Sequence, residues 1–105
     1  MSLPVRFHRL AEADVVEAWL WYEERRPGLG DQFLASVQAT IDRAGRWPNA
    51  GAQVSGGGQG EVAERKVATH GFPYAVRYRV SDGQLVVMAV YHQHRDPGFG
   101  VDRRP

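Results

Sequence analysis

The sequence predicts a small α+β domain in which a helical hairpin packs on one face of a mainly antiparallel sheet, in the order strand, helix, helix, strand, strand, strand. Three observations predict it. Apolar residues recur at helical spacing in two successive runs, only Pro27-Gly28-Leu29-Gly30 separates those runs, and the strongest period-two alternation follows them around Asp82-Gly83. A chain of 105 residues is of a size for one hydrophobic core, so residues 1–105 are expected to form a single domain.

Each element has its own reason. Val5 to Leu10 sets Val5 and Phe7 against Arg6 and His8, the alternation of a short strand. From Glu12 to Arg25 the positions Val15, Ala18, Trp19 and Tyr22 share one helical face, and Pro27-Gly28 ends the run. Asp31 is placed to cap a second helix whose buried stripe is Phe33, Leu34, Val37, Ile41 and Ala44, with Trp47-Pro48 as its exit. The short link forces the two helices antiparallel. Residues 49–60 carry five glycines and are expected to form a flexible loop without a catalytic role. Glu61 to Thr69 reads as a strand, and the last two strands flank Asp82-Gly83, a two-residue turn that demands positive φ at both positions. Met1-Ser2-Leu3 reads as a vector-derived start and is given no role.

Counting outward from that turn pairs Val80 with Leu85, Tyr78 with Val87, Val76 with Ala89 and Tyr74 with Tyr91, an apolar face for the helices. The opposite face then places Arg79 beside Val86, Arg77 beside Met88 and Ala75 beside Val90, with Pro73 opposite His92. Arginines set among aliphatic side chains are too charged for a core and too apolar for plain solvent. Arg77, Arg79, Val86, Met88 and Val90 are therefore expected to form an open face that binds a partner chain.

Composition narrows the chemistry. The formal net charge is +1, which argues against bulk electrostatic binding of nucleic acid. Of thirteen basic residues only Lys66 is lysine, so the cations are almost all guanidinium groups suited to bidentate contacts. With no cysteine there is no disulfide framework and no thiol nucleophile. No long apolar run or leader pattern is present, and a cytoplasmic location with no membrane association is expected. The string His92-Gln93-His94-Arg95-Asp96 imitates a metal-ligand motif, but His8 and His70 are the only further histidines and neither has a second ligand nearby, so no metal and no cofactor are expected. Gly56 to Gly60 is followed by neither Lys-Ser nor Lys-Thr, which removes a phosphate-binding loop, and no serine lies in a nucleophile-elbow context. What is left is histidine for proton transfer and arginine to neutralise charge on a phosphate.

The order of these pieces resembles the RelE/ParE superfamily of toxins from type II toxin–antitoxin systems, also called plasmid stabilisation proteins. The resemblance spans nearly the whole chain and rests on the first strand and helical hairpin, the Trp47-Pro48 exit, Arg65, Phe72-Pro73-Tyr74 with Tyr78, and His92 with Arg95 and Pro97. It implies a growth-inhibiting toxin held by a cognate antitoxin whose carboxy-terminal segment wraps around it, with DNA reached only through that antitoxin. Two targets divide the superfamily: ParE-like members inhibit DNA gyrase, and RelE-like members cut mRNA on the ribosome without a metal. The single lysine and low net charge depart from the strongly basic RelE pattern and favour the ParE-like reading. The alternative is a ribosome-dependent mRNA endonuclease with His92 as general acid and Arg65 and Arg95 holding the phosphate, and a further alternative is an inactive orphan that only binds its partner.

Overall fold

The computed structural model describes residues 2–54 and 64–94, together with Arg103. Its elements are β1 (Val5–Phe7), α1 (Arg9–Arg25), α2 (Leu29–Arg46), β2 (Ala52–Gln53), β3 (Arg65–Ala68), β4 (Tyr74–Ser81) and β5 (Gln84–His92). They build one sheet in the order β1-β5-β4-β3-β2, in which β1 runs parallel to β5 and every other pair is antiparallel. The expected helical hairpin lies on one face of it.

Helix α1 begins earlier than its apolar spacing alone indicates. His8 keeps an extended backbone and its Nδ1 accepts from the Leu10 N–H at 3.1 Å, so the strand ends at Phe7 and the helix opens at Arg9. Between the helices Gly28 takes φ of 90°, a left-handed conformation that glycine adopts without steric cost. The start of α2 is capped from the preceding helix: the Glu23 carboxylate accepts from the N–H groups of Gly28 and Gly30, each at 2.9 Å. Asp31, expected to be the cap, instead accepts from Trp19 Nε1 at 3.0 Å and ties α2 to α1. Leu34, expected in the buried stripe, is exposed, whereas Phe33, Val37, Ile41 and Ala44 are buried as expected.

The core lies between the hairpin and the sheet, where Phe33 and Ile41 meet Val76, Tyr78, Leu85 and Val87. At one end Tyr22, Phe33, Phe72 and Tyr74 form an aromatic cluster with centroid separations from 5.0 to 6.1 Å. Burial pushes the Tyr22 phenol above its ordinary value, and the neighbouring Tyr74 adds to the shift. At the other end Tyr78 donates to the Pro48 carbonyl at 2.7 Å, fixing the exit of α2 against the sheet.

Two expectations for the sheet need correction. Residues 49–60 were expected to contain no strand, yet Ala52 and Gln53 pair with Lys66 and Arg65 as a fifth strand; the glycines from 56 onward lie outside the described residues. The hairpin register also changes along its length. Asp82 and Gly83 adopt φ of 52° and 73°, and pairing runs as counted from Ser81-Gln84 to Tyr78-Val87. There Met88 bulges, and the next pairs are Arg77-Ala89, Val76-Val90, Ala75-Tyr91 and Tyr74-His92. One inserted residue reverses the faces of β5 beyond it, while β4 keeps its own. Val90 therefore joins the core under the helices, while Ala89 and Tyr91 pack with Ala75 in a separate cluster.

Candidate functional site

The bulge creates the most distinctive site of the molecule. By turning Val90 and His92 toward α1, it opens a cleft of about 530 Å³ between that helix and the end of β5. Asp14, Glu17 and Trp21 form the helical wall, and Tyr74, His92 and His94 the wall opposite. His92 stands beside Tyr74 with centroids 5.4 Å apart, and its Nδ1 accepts from the His94 N–H at 3.1 Å. A neutral His92 then carries its proton on Nε2.

The backbone groups freed by the bulge are satisfied by side chains distant in sequence. Val90 N–H donates to Asp14 Oδ2 at 3.0 Å. The Met88 carbonyl accepts from Arg103 Nη1 at 3.0 Å, and the same guanidinium forks onto Asp14 at 2.6 and 3.1 Å. Asp14 and Arg103 are both nearly buried, with side-chain exposures of 12% and 11%.

Of the residues that the ribonuclease alternative would use, Arg65 and His92 are not brought together. Arg65 pairs with Tyr78 and His92 with Tyr74, so they lie on opposite sides of β4 and four residues apart along it. At about 3.3 Å per residue and about 4.8 Å per strand, their backbones are separated by roughly 16 Å. Arg65 is moreover engaged: its Nη1 donates to the Gly51 carbonyl at 2.7 Å. Arg95 lies outside the described residues.

The expected open face is not open. Arg77, Val86 and Met88 are each 0% exposed and Val90 2%, leaving Arg79 as the one expected contact residue with appreciable access. The reason differs along the strand. The bulge moved Val90 to the helix side, whereas Arg77 stays on the far face because it has company there: Glu64 Oε1 lies 3.7 Å from its Nε, and its guanidinium sits 5.5 Å from the Tyr91 ring centre. Arg79 Nη2 reaches the same carboxylate at 3.3 Å. Burial pushes the Glu64 carboxyl above its ordinary value, against the opposing pull of Arg79 and Arg77. This cluster is an internal charge group, not a free docking patch.

Exposed apolar surface lies instead on α1. Val16, Leu20 and Trp21 are 58%, 47% and 51% exposed. At about 100° per residue, Val16 and Leu20 fall opposite Ala11 and Ala18, which face the core, and Trp21 bridges from that outer stripe to the cleft. The spacing of Val16 and Leu20 was a readable signal for a second apolar face. Nothing in the local sequence pointed to Asp14 or Arg103.

The comparisons with known proteins agree with this architecture. Residues 5–97 match the family described as ParE toxin of type II toxin-antitoxin system, parDE. Among solved structures, one described as the chromosomal ParDE TA system from P. aeruginosa superposes with a TM-score of 0.71 at 15% identity, covering 87% of this chain and 96% of that one. At that identity the superposition speaks for the fold. No curated protein sequence matches. Because the family match takes in the first strand, the helical hairpin and the bulged strand together, the chain belongs to the ParE toxin family of type II toxin–antitoxin systems.

Proposed function

We propose that the chain arrests bacterial growth by inhibiting DNA gyrase in the cytoplasm and is neutralised by a cognate antitoxin. The observation that carries the choice of target is the separation of Arg65 from His92, which leaves the histidine without one of the two cations that the ribonuclease reading needs on the phosphate. The low net charge supports the same choice, since a chain with little basic excess has little affinity for ribosomal RNA.

The antitoxin covers the outer stripe of α1 and continues into the cleft. Val16 and Leu20, four positions apart, supply an outer apolar strip, Trp21 adds an apolar side chain at the cleft about 100° round the helix, and Arg79, not Arg77, is the accessible arginine of the set first expected. The deciding experiment adds purified toxin separately to a gyrase supercoiling reaction and to a translating extract with mapped mRNA ends. Inhibited supercoiling with intact mRNA is expected. Codon-specific cleavage with normal supercoiling would replace the gyrase reading with the ribonuclease one, and growth unaffected by induction would leave an inactive orphan.

A further inference from the structure

The Asp14–Arg103 pair is built like a ligand site whose ligand belongs to the chain itself. A guanidinium fork is met by both carboxylate oxygens and by the Met88 carbonyl, three acceptors arranged in advance. The acceptors come from two rigid elements. Asp14 is on α1 and is further fixed by the Val90 N–H, and the carbonyl belongs to the bulge of β5. Arg103, in contrast, lies eleven positions beyond the end of that strand at His92.

The position of this arrangement is as informative as its chemistry. Asp14 and Val90 also line the cleft, so the carboxylate is part of the cleft wall. Among the described residues, no arginine or lysine lines that cleft, where Glu17 is a second acid and Trp21, Tyr22 and Tyr74 offer aromatic surface. Were Arg103 withdrawn, a carboxylate in the wall of an aromatic cavity would lose its main counter-charge. Such a group either recruits another cation or is strongly disfavoured.

We propose that Asp14 and the Met88 carbonyl form an arginine seat, occupied by the chain's own Arg103 in the free protein and open to an arginine side chain of a partner protein when the carboxy-terminal end is drawn away. Partner binding in the cleft and release of Arg103 are then competing events at one site. This holds whichever cellular target the toxin has, because it depends on the seat alone.

The test uses agmatine, which carries a guanidinium on a short aliphatic stem, with putrescine as the amine counterpart lacking that fork. Arg103→Ala should be stabilised by agmatine, with a melting temperature raised by roughly 5 °C at about ten times the dissociation constant. Putrescine should have little effect, wild type should respond weakly because the seat is filled, and Asp14→Asn combined with Arg103→Ala should not respond. In wild type, saturating agmatine should also speed carboxypeptidase trimming of the carboxy-terminal end, a readout that does not depend on any variant folding. Equal responses of Arg103→Ala and the double variant, or trimming unchanged by agmatine, would overturn the proposal.

Discussion

The two helices of the hairpin are nearly equal in length and differ in what their sequences do. Helix α2 is one-sided: Phe33, Val37, Ile41 and Ala44 follow one another down a buried face, and most of the remaining surface is polar. Helix α1 is apolar on both sides, with Ala11 and Ala18 against the core and Val16 and Leu20 facing outward. An apolar residue contributes to folding only where folding removes it from water. Thus α2 specifies the fold, while α1 meets the fold on one side and on the other leaves an apolar face exposed, the face proposed for the antitoxin.

The sharpest way to break this contrast is to exchange the expected effects. Phe33 is 0% exposed and touches Tyr22, Phe72 and Tyr74, so Phe33→Ala should remove about 3–5 kcal/mol of stability, measured by urea unfolding. A loss below about 1 kcal/mol would mean that α2 is not the structural helix of the pair.

The same division runs through the arginines of β4. Arg77 behaves as an interior residue and Arg79 as an accessible one, although they are two positions apart on one face. Arg77→Met strips one cation from buried Glu64 and should cost about 3 kcal/mol, and adding Glu64→Leu should restore most of it, since an apolar pair needs no charge compensation. The pH dependence has a definite sign. The Glu64 carboxyl is raised above its ordinary 4.5 in the folded chain, so its contribution is fully present below that value and is lost as pH rises through the raised one. Arg77→Met removes an attraction that lowers it, so the loss should extend to higher pH in the variant. A stability profile parallel to that of wild type would place the pair outside the energetics of folding.

How far the sequence disclosed this molecule can be judged along β4 and β5. Asp82-Gly83 set the register correctly as far as Tyr78 and Val87 because a two-residue turn leaves little choice near itself. Beyond that point Val76 and Tyr74 keep the expected face with new partners and the assignment failed at Ala89, Val90 and Tyr91, since the bulge at Met88 is held by groups remote in sequence. Asp14 is 76 positions from Val90 and Arg103 is 15 from Met88. No periodicity within a strand reports on such partners. The site inherited this error: His92 was expected on the outer face, opposite Pro73, and instead stands at the α1 cleft. The burial of Arg77 was illegible for a related reason, because its counter-charge Glu64 precedes β3 and belongs to no pattern of the hairpin.

Outer α1 is where the comparison becomes functional. Leu20→Lys keeps a good helix former between Glu17 and Glu24, so unfolding free energy should change by less than about 0.5 kcal/mol. Affinity for the cognate antitoxin should fall by about 2 kcal/mol, roughly thirtyfold, in titration calorimetry. The reverse result, a destabilised chain that binds normally, would assign Leu20 to the fold and erase the distinction between the helices.

The smallest expected effect concerns His92, and its smallness is the point. The ring lies at the cleft mouth beside Tyr74, with Nδ1 engaged by the His94 N–H. Arg65 is held on the far side of β4 by Gly51 and is not assembled with it there. If gyrase inhibition is the activity, His92→Ala removes only a ring at the edge of a contact surface, and the concentration that halves supercoiling should move by less than about 1 kcal/mol, about fivefold. If His92 were a general acid, the same change would lower turnover on the order of a hundredfold or more while binding persisted. Dose curves for wild type and His92→Ala in the supercoiling reaction and in the translating extract separate the two cases, and a hundredfold loss of mRNA cleavage without weakened binding would show that this histidine moves a proton.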